Sequence, residues 1–164
     1  MRKFIYFFIL TIFFSCSTKK EEIDYLKFSE DVLTYQVTPK GKFDKSGLMF
    51  SDQGAWFAYS FSGSNLKNTY SLNTGFAGPF LMTQQNGVWT SQSFTKLAIK
   101  DIQWTQHRFH SYSSHLEQVF QSQNLKLTQK LVFLSGHTTM IQSTIKNLSN
   151  QKLSIDYTLK SDSI

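Results

Sequence analysis

Within residues 152–160 every second side chain is apolar: Leu153, Ile155, Tyr157 and Leu159 fall on one side, Ser154, Asp156, Thr158 and Lys160 on the other. Side chains alternate with period two along a strand, so this pattern predicts an extended segment with one buried and one wet face. The preceding segments carry the same signature. Residues 138–146 set Ile141 and Ile145 on one face, then turn through Asn147-Leu148-Ser149-Asn150-Gln151. Leu125, Leu127, Leu131 and Phe133 alternate with Lys126, Thr128 and Lys130 and stop at Ser135-Gly136. Residues 116–121 meet that run across Ser122-Gln123-Asn124. Four strands joined by short polar turns predict an antiparallel meander.

The first half is less regular. Residues 33–37, 48–50, 55–61 and 94–104 are strand candidates; Gly75, Gly78 and Pro79 mark a loop between them, and Asn86-Gly87 marks a tight turn. No segment sustains a 3.6-residue apolar period, so little helix is expected. With 164 residues, 40% hydrophobic and 17% charged, the chain can bury one core of moderate size, which excludes a disordered polymer. The expected fold is all-β, two antiparallel sheets packed face to face as a sandwich. The chain stops at Ile164 directly after its most regular strand. An edge strand left without a partner or a guard is unusual, and the stop suggests a truncated sandwich.

The N-terminus has a different character. Arg2 and Lys3 precede an apolar run over residues 4–14 that is interrupted by Thr11. A run of that length, at ~1.5 Å rise per residue, is too short to cross a ~30 Å hydrocarbon layer and suits a signal segment. Phe13-Phe14-Ser15-Cys16 then resembles a bacterial lipobox, in which a small residue precedes a Cys that is acylated and becomes the mature N-terminus. An ordinary secretory signal with an incidental Cys is the competing reading. Cys16 is the single Cys, so no disulfide framework or Cys-based zinc site is expected, and acylation accounts for a lone thiol at this position. Residues 1–15 are thus expected to be a lipoprotein signal peptide, 16–32 a spacer and 33–164 the β-sandwich. The expected location is extracytoplasmic, in the periplasm or at the outer membrane, anchored by lipid.

Charge excludes one class of partner. The formal net charge is +6, but Arg2 and Lys3 belong to the leader, and Arg108 is the one Arg after it. Nucleic-acid recognition favours arginine forks, and the lysines form no stripe in sequence, so a nucleic-acid partner is not expected. Metal chemistry is no better supported. His107 and His110 are spaced for a shared site, but Arg108 sits between them and no Cys or carboxylate completes a shell; His107, His110, His115 and His137 read as surface or loop residues. No Gly-x-Ser-x-Gly elbow and no phosphate-cradling glycine loop occurs, so no cofactor is expected.

Two elements together carry a resemblance. Ser51-Asp52-Gln53-Gly54-Ala55-Trp56-Phe57 is followed by Gly75-Phe76-Ala77-Gly78-Pro79-Phe80-Leu81-Met82-Thr83. This pairing resembles the N-terminal, supersandwich-like β-sandwich of bacterial glycoside hydrolases similar to family 63, α-glucosidase and trehalase relatives. The resemblance covers roughly residues 43–160. It implies a non-catalytic module of a membrane-tethered glycosidase acting on α-glucosides or related oligosaccharides, with a catalytic (α/α)6 barrel downstream. Inverting glycosidases need an acid and a base carboxyl group ~6.5–9.5 Å apart. After Phe50 the acids are Asp52, Asp101, Glu117, Asp156 and Asp162. Glu117 and Asp156 are expected to face outward and Asp162 to lie in the tail, and none matches a catalytic position. The chain alone is therefore expected to be inactive. Trp56, Phe57 and Trp89 are the candidates for carbohydrate or barrel contact. Aromatic faces stack on sugar rings, although each Trp can equally be core; Trp89, beside Asn86-Gly87, is expected to be the most exposed. The alternative function is a stand-alone surface lipoprotein that binds carbohydrate or protein.

Overall fold

The computed structural model describes residues 35–63 and 74–164. The leader, Cys16, the spacer and the start of the 33–37 segment lie outside the described residues. All regular elements among those described are strands: β1 (Gln36–Val37), β2 (Phe57–Ser62), β3 (Phe76–Met82), β4 (Gly87–Trp89), β5 (Ser91–Ile99), β6 (Gln106–Ser111), β7 (His115–Gln121), β8 (Leu125–Ser135), β9 (Thr138–Asn147) and β10 (Tyr157–Ser163). They form two sheets. One is a six-stranded sheet in the order β1-β2-β3-β5-β10, with β4 also on β3; the other is the four-stranded sheet β6-β7-β8-β9. Every pairing is antiparallel except β1 with β2.

Alternation builds three strands of the meander, β7, β8 and β9, as expected; the remaining one is β6, which alternation does not mark. In β8, Leu125, Leu127, Gln129, Leu131 and Phe133 are buried, while Lys126, Thr128 and Lys130 face the other way. The same period buries Leu116, Gln118 and Phe120 of β7. These inward residues meet the six-stranded sheet: Leu116, Leu131 and Phe133 share a cluster with Phe50, Tyr59, Phe61 and Phe76. A buried side chain of this size stabilises by about 1.5–3 kcal/mol, which makes the two sheets interdependent. The outer face of the six-stranded sheet is covered as well. Val37, Ala58, Ala77, Phe80 and Trp89 form a second cluster with Met49 against them.

Several expectations are corrected. Gly78 and Pro79 do not mark a loop, because β3 runs through both, whereas Gly75 stands in the bend just before it. Gly78 (φ +131°, before a cis bond to Pro79) faces a break in register between Ala58 and Ser60, and a Cβ there would stand 2.7 Å from the Tyr59 ring. A bulge with no room for a side chain looks like a turn in sequence. The fourth meander strand is absent from the meander: β10 starts at Tyr157, not at residue 152, and pairs with β5 in the other sheet. The connection after Asn147 is long enough to cross between layers; Leu148 N–H bonds to Asn124 O at 2.8 Å and Lys100 N–H to Asp156 O at 3.0 Å. Residues 48–50 make one bridge, Phe50 with Tyr59, rather than a strand. The 94–104 candidate is Ser91–Ile99, ended by a turn in which Asp101 has φ 59°.

The apolar face of β10 also departs from expectation. Leu159 pairs with buried Leu97, which places both on the inner side, yet Leu159 is 62% and Tyr157 60% exposed. β9 and β10 are the last strands of their sheets, and between them the sandwich stands open. Leu97, Ile141, Ile145, Tyr157 and Leu159 line a cleft of about 380 Å³ there. Facing inward is a property of the strand; burial needs a covering layer.

Candidate functional site

The residues singled out in sequence separate into an exposed end of the sandwich and a core. Gln53 and Gly54 both have positive φ (55° and 67°), and Ala55 N–H bonds back to Asp52 O at 3.1 Å. Two consecutive left-handed residues closed by that bond make a tight reversal. The Ser51 hydroxyl fastens it by donating to Phe57 O at 3.0 Å. Ala55 is buried under the turn and strand alternation begins immediately after it. Phe57 is consequently turned inward, half-buried, with its ring 5.3 Å from Phe133 and 6.0 Å from Tyr59. Trp56 is turned outward and is 67% exposed.

Neighbours complete that end. Met82 N–H donates to Trp56 O at 2.9 Å, and both Met82 and Leu81 are exposed. The β8–β9 turn abuts the reversal, since a Cβ on Gly136 would stand 3.1 Å from Gln53 O, and Leu134 next to it is exposed. An exposed indole of this kind is a platform for the apolar face of a sugar ring or for another domain. Leu81, Met82 and Leu134 were not found by sequence reasoning. They sit at strand ends, where periodicity carries no information about exposure.

Trp89 belongs to the core, against expectation. It is 1% exposed, its ring lies 5.0 Å from Phe80, and its indole N–H donates to Asp44 O at 2.6 Å. Trp104 is half-buried against Phe120 at 6.0 Å. The described tryptophans therefore offer one exposed indole face, that of Trp56.

The carboxylates are dispersed. Asp52 lies in the reversal, with Oδ1 accepting from Gln53 N–H at 2.7 Å. Glu117 is on the outer face of the four-stranded sheet, paired with Lys130 at 2.9 Å. Asp162 is within β10 rather than in a tail, and pairs with Lys96 at 3.4 Å. Asp156 precedes β10 instead of occupying a strand position, and it and Asp101 are exposed. A general acid for glycoside cleavage needs a carboxyl group raised by burial opposite an ionised partner, and none of these five is enclosed in that way.

The histidines are not loop residues as a group. His107 and His110 lie on β6 and His115 begins β7, where it is buried with Nδ1 at 2.9 Å from Ser114 Oγ. Burial pushes His107 and His115 below the ordinary histidine value, which keeps both rings neutral near pH 7. Among the described residues no group of three or more His, Cys, Asp or Glu could hold a metal ion.

The two elements that carry the resemblance thus have separable tasks. Asp52-Gln53-Gly54-Ala55 builds a reversal that exposes Trp56, whereas Gly75 and Gly78 are backbone positions with no room for a Cβ. No curated protein matches the chain. A family model described as "Glucosidase YgjK, N-terminal" matches residues 36–161, which include both sheets and the Trp56 end, and the chain accordingly belongs to that family of glucosidase N-terminal domains.

Proposed function

We propose that the chain is the non-catalytic N-terminal module of a membrane-tethered glycoside hydrolase similar to family 63, acting on α-glucosides or related oligosaccharides. The observation that carries this reading is the family match over residues 36–161, which makes the sandwich a glucosidase-associated module. Dispersed carboxylates support a supporting role, because the chemistry then resides in another domain. Trp56, exposed and bonded through its main chain to Met82, is the surface on which that domain or its sugar substrate would rest. The tether is Cys16, after a signal-like run ending in Ser15.

The coding DNA beyond Ile164 tests the proposal. An in-frame (α/α)6 barrel with paired carboxylates is expected. A stop codon at that point, with no glycosidase encoded alongside, would overturn it and favour a stand-alone surface lipoprotein.

A further inference from the structure

The register of the four-stranded sheet sorts its outward residues into rows. Lys126 and Lys146 are direct cross-strand partners, with Gln121 and Gln106 completing their row on β7 and β6. Like charges placed directly opposite each other repel, so this pair opposes folding. One row further on, Arg108 stands exposed opposite Val119. In the third row Glu117, the one acid of these three rows, is engaged by Lys130 at 2.9 Å. Among the described residues, Lys126, Lys146 and Arg108 therefore share three rows in which no second carboxylate stands. A depression of about 230 Å³ lies between Arg108 and Lys126, with Val119 in its wall and the amides of Gln106 and Gln121 at its edge; His107, His110 and the Lys130-paired Glu117 also line it.

We infer that this face binds an acidic polysaccharide, one bearing sulfate or uronate groups. Arg108 and Lys126 at the depression, with Lys146 directly across from Lys126, supply the charge complement. Gln106, Gln121 and, on β9, Gln142 each offer a donor and an acceptor, which suits the hydroxyl groups of pyranose rings. A single-stranded nucleic acid would need several aromatic side chains for successive bases, and these rows contain one ring, His110, which is already stacked on Tyr112. A lipid surface would need an apolar rim, and Val119 is the sole apolar residue in the three rows. The face is distinct from the Trp56 end, and the inference stands whether or not the glucosidase-module reading does.

The test is binding of the full chain, in detergent, to a heparin oligosaccharide and to polygalacturonate, with neutral dextran and a DNA duplex for comparison. Both acidic polysaccharides are expected to bind and to be released by salt, and dextran is not. Replacing Lys126, Lys146 and Arg108 together by Gln should weaken polysaccharide binding about tenfold, as the loss of three exposed charge contacts of modest strength would. Replacing Lys40, Lys42 and Lys45 together by Gln removes the same charge elsewhere and should change affinity less than about twofold. Lys146→Glu separates binding from folding: it turns the repulsive pair into an attractive one, so the melting temperature should rise while affinity falls. Equal weakening by both triple variants, tighter retention of the DNA duplex, or no binding of either polysaccharide would overturn the inference.

Discussion

The Trp89 indole N–H donates to the main-chain carbonyl of Asp44 across 45 residues of sequence, at 2.6 Å. A second bond, Trp89 N–H to Lys42 O at 2.8 Å, fixes the same segment. The segment before Phe50 is thereby laid over the outer face of the six-stranded sheet, where Trp89 and Phe80 pack against Ala58 and Ala77. A tryptophan that reads as a surface platform in sequence is the anchor of a covering loop.

That loop is held by the Asp44 carboxylate. It accepts from the backbone N–H groups of Lys40 and Ser46, each at 2.9 Å. The Lys40 bond and then the Ser46 contacts lower its pKa from 3.8 to about 2. A depressed folded-state value means that the contribution is present above 3.8, declines as pH falls and is gone below about 2. Asp44→Asn is therefore expected to be less stable than the parent at neutral pH, and the gap should close on acidification through that window. Parallel urea melts from pH 7 to pH 2 check this, and a gap independent of pH would remove the assigned role of the charge.

The inter-sheet amides carry a second prediction. Gln129 is fully buried; its Oε1 accepts from Gly75 N–H at 2.8 Å and from Gln118 Nε2 at 2.9 Å. Gln118 Nε2 also donates to Gly75 O at 2.7 Å, so the two amides clamp both main-chain groups of Gly75, the residue just before β3. Gln129→Leu keeps the volume but strands the buried Gly75 N–H, and should cost about 1–3 kcal/mol in denaturant unfolding. A variant as stable as the parent would show that the clamp contributes nothing net.

The amides also mark where sequence reading ends. β7, β8 and β9 are legible because alternation is a local property, and Leu116, Leu127 and Leu131 declare their face without reference to anything distant. Gln118 and Gln129 follow the same alternation but are polar, and their burial depends on a glycine just before β3. β5 begins with Ser91, Gln92 and Ser93, and the buried serines are satisfied by Asp162 O and Thr74 O, partners that periodicity cannot supply. β6, reading Gln-His-Arg-Phe-His-Ser, lacks an apolar pattern and was not expected as a strand. Of the site, Trp56 was legible as a candidate. Its exposure, like the burial of Trp89, is decided by whether a remote loop arrives to cover it.

The cleft between β9 and β10 gives a third prediction. Tyr157 and Leu159 expose inward-facing apolar surface at the free edges of two sheets, and such edges recruit further chain. The domain carrying residues 35–164 should self-associate with rising concentration in size-exclusion chromatography. Leu159→Lys should shift it towards monomer, because a charge on the inner face is incompatible with closure by another apolar surface. A monomer at all concentrations, melting in one cooperative step, would mean that the open edge is already tolerated.

The last prediction separates the two tryptophans whose roles the sequence did not distinguish. Trp56 is 67% exposed and bonds through its main-chain carbonyl to Met82, so removing its indole disturbs no buried contact. Trp56→Ala should change stability by no more than about 0.5 kcal/mol, the usual range for surface positions. Trp89→Phe removes a buried ring and leaves the Asp44 carbonyl without its donor, and should cost about 1–3 kcal/mol. Fluorescence supplies the functional half. Acrylamide should quench the parent and largely spare Trp56→Ala, because Trp89 is enclosed and Trp104 is half-covered by Phe120. If the Trp56 end stacks on glucose rings, maltooligosaccharides should perturb emission in the parent and in Trp89→Phe, but not in Trp56→Ala. An emission change that survives Trp56→Ala would place sugar contact elsewhere on the sandwich and leave Trp56 as a surface for another domain.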